Sequence, residues 1–94
     1  MENMQIEEIR IKIDGEDDSE QLFGNLDVNL RIIQDNYDVV IVQRQDEIIL
    51  RGKEAGKAEE IIDELVAILR SGETLDTQKV NYVISLKEKG LSYR

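Results

Sequence analysis

The stretch "GNLDVNLRIIQDNYDVVIVQRQDEIILRG", Gly24 to Gly52, is where the hydrophobic period changes, and that change decides the fold. Through its first half Leu30, Ile33 and Tyr37 recur at spacings of three and four, the stripe of an amphipathic helix. Asp27 stands where the N-cap of that helix belongs, and a carboxylate suits a helix's positive end. Asn36 reads as the helix end, because asparagine tolerates left-handed geometry. Then the pattern switches. VVIVQRQ, Val39 to Gln45, is β-branched and apolar and reads as a central strand. Gln45-Asp46 is a short polar turn, and EIILRG, Glu47 to Gly52, returns as the second arm of a hairpin.

Upstream, Ile9, Ile11 and Ile13 alternate with Arg10 and Lys12, the period of a half-buried strand. Between that strand and Gly24, Ser19 is placed to cap a short helical turn over Glu20, Gln21, Leu22 and Phe23, which Gly24 then breaks. Downstream, KEAGKAEEIIDELVAILRSG sets Ala58, Ile61, Ile62, Leu65, Ile68 and Leu69 on one helical face, with Gly56 in its first turn and Arg70 and Gly72 closing it. A last helix follows, capped by Asp76, with Val80, Val83, Ile84 and Leu86 as its apolar positions, Gly90 as its stop and LSYR as a tail. The expected order is β-α-α-β-β-α-α in a single domain over residues 1–94. Three strands make one small antiparallel sheet whose isoleucine-rich side the helices cover. The fold class is therefore α+β, a two-layer sandwich with the helices packed on one face.

Composition narrows the chemistry. The chain has 94 residues and neither cysteine nor histidine, so it holds no thiolate metal site and lacks the usual general base and the Ser-His and Cys-His pairs. No catalytic residue and no metal ligand set is assigned. No apolar run approaches the ~20 residues of a membrane span. MENMQIEEIR is acidic, unlike the basic start of a secretory signal, so the expected location is cytoplasmic and no membrane partner is expected. The net charge is −9, and most of it sits early. DGEDDSE at 14–20 carries much of that excess and reads as a solvated loop, without the alternating ligands and distant glutamate of an EF-hand.

One motif points to a partner. Gly24-Asn25-Leu26-Asp27 has the spacing of a Gly-x-x-Gly loop at the start of a helix, with aspartate in the second glycine's place. With the order of elements it resembles a type I K-homology (KH) domain, whose loop clamps the backbone of single-stranded nucleic acid. A carboxylate about 4 Å from a phosphate repels it by roughly 1 kcal/mol in water and about 4 kcal/mol in a partly dry site. Asp27 therefore weakens that clamp. The basic residues that remain for phosphate contact are Arg31 on the helix and Arg44, Arg51, Lys53 and Lys57 on or just after the hairpin. As ordinary strand residues, Arg44 and Arg51 would instead face acids such as Asp46 and Glu47. Phe23, Tyr37, Tyr82 and Tyr93 are too few and too scattered for a base-stacking platform.

The similarity extends further. Leu22-Phe23-Gly24 followed by Asn29-Leu30, then Glu47-Ile48 with Gly52, then Arg70-x-Gly72-Glu73-x-Leu75, resembles the KH-like N-terminal domain of the PhoH-like (phosphate-starvation-inducible) ATPase family, from Leu22 to about Leu86. The resemblance implies a non-catalytic accessory or interaction domain whose partners are its own C-terminal ATPase domain or neighbouring subunits. The alternative it implies is an RNA-binding module that presents single-stranded RNA to that domain. On that alternative Gly24, Asn25, Arg31, Arg44, Arg51 and Lys53 form the nucleic-acid-binding set. ATP and magnesium would belong to the C-terminal domain and none is assigned to this chain. The nearest string here, Gly52-Lys53-Glu54-Ala55-Gly56-Lys57-Ala58, is one residue short of a phosphate loop, and Ala58 replaces the hydroxyl that would bind magnesium.

Overall fold

A computed structural model describes residues 7–12, 26–44 and 47–91 of the chain. β1 (Glu7–Lys12), β2 (Val40–Gln43) and β3 (Glu47–Gly52) form one antiparallel sheet in the order β1-β3-β2. The period-2 pattern puts alternate residues on opposite faces. Ile9, Leu50 and Ile41 lie in register across the three strands on the core side, with Ile11 beside Ile48. Glu8, Arg51 and Val40, and then Arg10, Ile49 and Val42, make two rows on the other side.

Three helices cover the core side: α1 (Leu26–Asn36), α2 (Ala55–Arg70) and α3 (Thr77–Glu88). α2 lies on β1 and β3, α1 reaches β2, and α3 packs across α1 and α2. The expected stripes are the buried ones. Leu30, Ile33 and Tyr37 on or just after α1, Ala58, Ile61, Ile62, Leu65 and Ile68 on α2, and Val80, Val83 and Ile84 on α3 join Ile48 and Leu50 in one cluster. The α+β sandwich with helices on one face of a three-stranded antiparallel sheet is thus the observed architecture. Asp76 caps α3 as expected, its carboxylate accepting the Lys79 amide at 2.8 Å. Beyond α3, Gly90 takes a φ of +77° and the Leu91 amide returns to the Leu86 carbonyl at 2.9 Å.

Several expectations change. β2 is an edge strand and β3 the central one, because β3 pairs on both sides. Apolarity does not separate the two in sequence; burial does, since Ile48, Ile49 and Leu50 are all nearly inaccessible while Val40 is 59% exposed. The free edge of β2 is partly closed: the Gln34 side chain on α1 accepts the Ile41 amide at 2.7 Å, which blunts a potential pairing site. α1 begins at Leu26, so Asp27 is its second residue rather than its cap. α1 does end at Asn36, but without left-handed geometry. The Asn36 side chain donates to the Ile32 carbonyl at 2.8 Å and the Tyr37 amide to the Ile33 carbonyl at 3.0 Å, so the last turn closes on itself. Among the described residues no non-glycine has positive φ. The expected helical turn at 20–23, the acidic loop at 14–20, the Gln45-Asp46 turn and the last residues of the tail lie outside the described residues.

Candidate functional site

The solvent side of the sheet carries the arginines expected to meet phosphate. The strand register sets Arg51 opposite Glu8, and its Nε lies 3.0 Å from Glu8 Oε1. Arg10 bridges onward, 3.3 Å from Glu8 Oε2 and 3.1 Å from Glu47 Oε2. Glu8, Arg51, Arg10 and Glu47 thus form a charge lattice across two strands. Each such exposed pair contributes about 0–1 kcal/mol to stability. Its larger effect is on the surface potential, because each guanidinium already faces a carboxylate. Glu47, expected to face Arg44 or Arg51, pairs with Arg10 instead, and the acid that meets Arg51 is Glu8, far away in the chain.

The other candidates do not gather into one cleft. Alternation from Val40 through Val42 carries Arg44 to the same side as Arg51, and Arg44 is exposed, its amide closing the hairpin on the Glu47 carbonyl at 2.9 Å. Lys53 is exposed in the turn between β3 and α2. Arg31 is exposed on α1, in the helical layer rather than on the outer sheet face. Gly24 and Asn25 lie outside the described residues. Lys57 lies 3.2 Å from Glu54. Glu54 also accepts the Asp38 amide at 2.8 Å, and that amide, followed by Lys57, lowers the Glu54 carboxyl's pKa.

Two polar features of the helical layer add to the expected apolar stripe. Tyr37 is buried and its hydroxyl donates to Glu88 Oε2 at 2.8 Å, tying the end of α1 to the end of α3. Burial first, and then the Glu88 carboxylate, raise the hydroxyl's pKa well above its ordinary value of 10.0. The contribution is therefore complete below pH 10. Above that the unfolded chain releases the proton first and stability falls as pH rises. Tyr37→Phe is expected to cost about 1 kcal/mol at neutral pH. Its deficit relative to the parent should narrow above pH 10 in urea titrations; a deficit independent of pH would show that the hydroxyl does not titrate as described.

The second feature is Asn29. It is 1% exposed, and among the described residues neither its amide nitrogen nor its carbonyl oxygen has a hydrogen-bond partner. A signal for it exists in the sequence, since Asn29 precedes Ile33 by four and so shares the buried stripe of α1. Asn29 lines a cleft of about 230 Å³ between the N-terminal ends of α1 and α3, with Val28, Leu75, Asp76 and Thr77 as its other walls among the described residues. At Asp76 this cleft meets a broader groove of about 660 Å³ along α3, lined also by Gln78, Lys79, Asn81, Tyr82 and Ser85. Lys79 in that groove lies 2.8 Å from Glu73. Among the described residues no helix is long and apolar enough to cross a membrane. Comparison with protein-family models, with curated proteins and with solved structures finds no match to the chain.

Proposed function

We propose that this chain is a non-catalytic interaction module of the kind the PhoH-like ATP-binding proteins carry ahead of their P-loop domain, with a KH-like scaffold whose grip on nucleic acid is spent. Its partner is a protein surface, that of the ATPase domain or of a neighbouring subunit, in the cytoplasm. The observation that carries this reading is the pairing of Arg10 and Arg51 with Glu8 and Glu47. An RNA-binding face draws its affinity from cations that exchange counterions for phosphates. Here that exchange would first have to break ion pairs within the protein. The net charge of −9 works against RNA at long range as well.

Fluorescence anisotropy with a labelled single-stranded RNA tests the reading. Binding should be weak at low salt and gone by about 0.15 M. Robust binding at that salt, lost in Arg44→Ala or Arg51→Ala, would replace this reading with the RNA-presenting one. The lattice makes a further expectation. Glu8→Gln removes the carboxylate shared by Arg10 and Arg51, so RNA affinity at low salt should rise about tenfold, one to two contacts at about 1 kcal/mol each. The salt dependence should steepen by about 0.7 for each phosphate newly contacted. An unchanged affinity would mean that the sheet face is closed to RNA for a reason other than its acids.

A further inference from the structure

We infer that the cleft between the N-terminal ends of α1 and α3 receives a side-chain carboxamide, from Gln or Asn of a partner polypeptide lying along α3, and that Asn29 recognises it. This rests on the interaction-module reading and names the partner's chemistry. Asn29 offers two donors and an acceptor on one rigid plane. Both ends are unpartnered at 1% exposure, whereas the Tyr37 hydroxyl, the other polar group on a buried side chain among the described residues, has Glu88 as its partner. No hydrogen bond holds the amide in its present rotamer, so turning it toward the cleft it lines breaks none. A second carboxamide is its closest complement, since two primary amides exchange a pair of antiparallel N–H···O bonds.

The walls select among ligands. Val28 and Leu75 are apolar and Thr77 is neutral. Asp76, the charged wall among the described residues, caps α3 with its own carboxylate, which disfavours an anion at that helix end. The cation of the adjoining groove, Lys79, is engaged by Glu73, so the groove presents no ready phosphate contact. A nucleic-acid strand is therefore the poorer occupant. A space of about 230 Å³ takes the end of one side chain, while a main chain with its flanking residues would stay in the groove outside. Gln78, Asn81, Tyr82 and Ser85 there supply the adaptable polar and aromatic contacts that suit a peptide.

The test is a titration of the ¹⁵N-labelled chain, followed by NMR, with N-acetylglutamine methylamide and separately with the corresponding glutamate derivative. The glutamine compound should move the Asn29 side-chain amide pair and the backbone amides of Val28 and Thr77, with a Kd of about 1 mM, as befits one isolated group. The glutamate compound should not. Asn29→Leu, expected to fold well, should weaken the glutamine compound at least about tenfold, the loss of its paired bonds. No movement with glutamine, equal movement with glutamate, or undiminished binding by Asn29→Leu would each overturn the inference while leaving the interaction-module reading in place. Movement of the same resonances by single-stranded RNA at physiological salt, with none by glutamine, would overturn both.

Discussion

Gly52→Ala should destabilise the fold by about 3 kcal/mol or more, with a matching fall in the urea midpoint. Gly52 ends β3 at a φ of +146°, a conformation L side chains rarely adopt. The space is closed as well. A Cβ there would run into the Asp38 carbonyl oxygen and come within 2.9 Å of the Val39 Cα. Both are backbone atoms, and that backbone is tied down. The Asp38 amide donates to Glu54 Oε1 at 2.8 Å, the Glu54 amide returns to the Asp38 carbonyl at 3.0 Å, and the Val39 amide donates to the Tyr37 carbonyl at 2.9 Å. Moving aside would loosen the junction at which α1, β2, β3 and α2 meet. Against a typical domain stability of about 5–15 kcal/mol the loss is large. Gly56→Ala is the control. Among the described residues its Cβ would meet only Glu7 Oε1 at 3.6 Å, inside the first turn of α2, so stability should hold or rise by up to about 1 kcal/mol. Equal effects at the two positions would show that the approach of Asp38 to Gly52 is not what requires glycine there.

Asn29→Leu should move stability the other way, raising it by about 2 kcal/mol and the melting temperature by about 10 °C. A buried amide with donors and acceptor unpaired bears a desolvation cost that no contact offsets. Leucine branches at the same atom, fills the same slot and adds two methyl groups beside apolar Leu75 and the cleft. The comparison with Asn29→Ala separates the effects. Alanine also removes the amide but leaves a void, so it should fall below leucine by about the cost of a cavity in a core, 2 kcal/mol or more. If leucine destabilises while alanine is tolerated, the slot is too tight and the amide is not the source of the cost. A stabilising substitution at a natural core position is what a site maintained for a partner at the expense of stability would show. Asn29 thus joins energetics to the proposed docking role.

The local sequence was enough for the elements themselves. Period alone identified β1, α1, the hairpin, α2 and α3, because burying one face of each element demands it. Asp76 was legible as a cap, since an N-cap needs only a short acceptor and a nearby amide. The acidic excess was visible from composition. What no local rule could supply was pairing across distance. Which arm of the hairpin is central depends on where β1 docks, and β1 joins β3 from the far end of the chain's first half. Arg51 reads as facing either phosphate or a nearby acid such as Asp46 or Glu47, until that register puts Glu8 opposite it. Gly52 reads as a strand end until the Asp38 carbonyl is brought against it, and Asn29, legible as a member of the buried stripe of α1, shows its unpaired amide only in the packed layers. For the pairings the deciding atom belongs to another element, and only the packing of the layers brings it within reach.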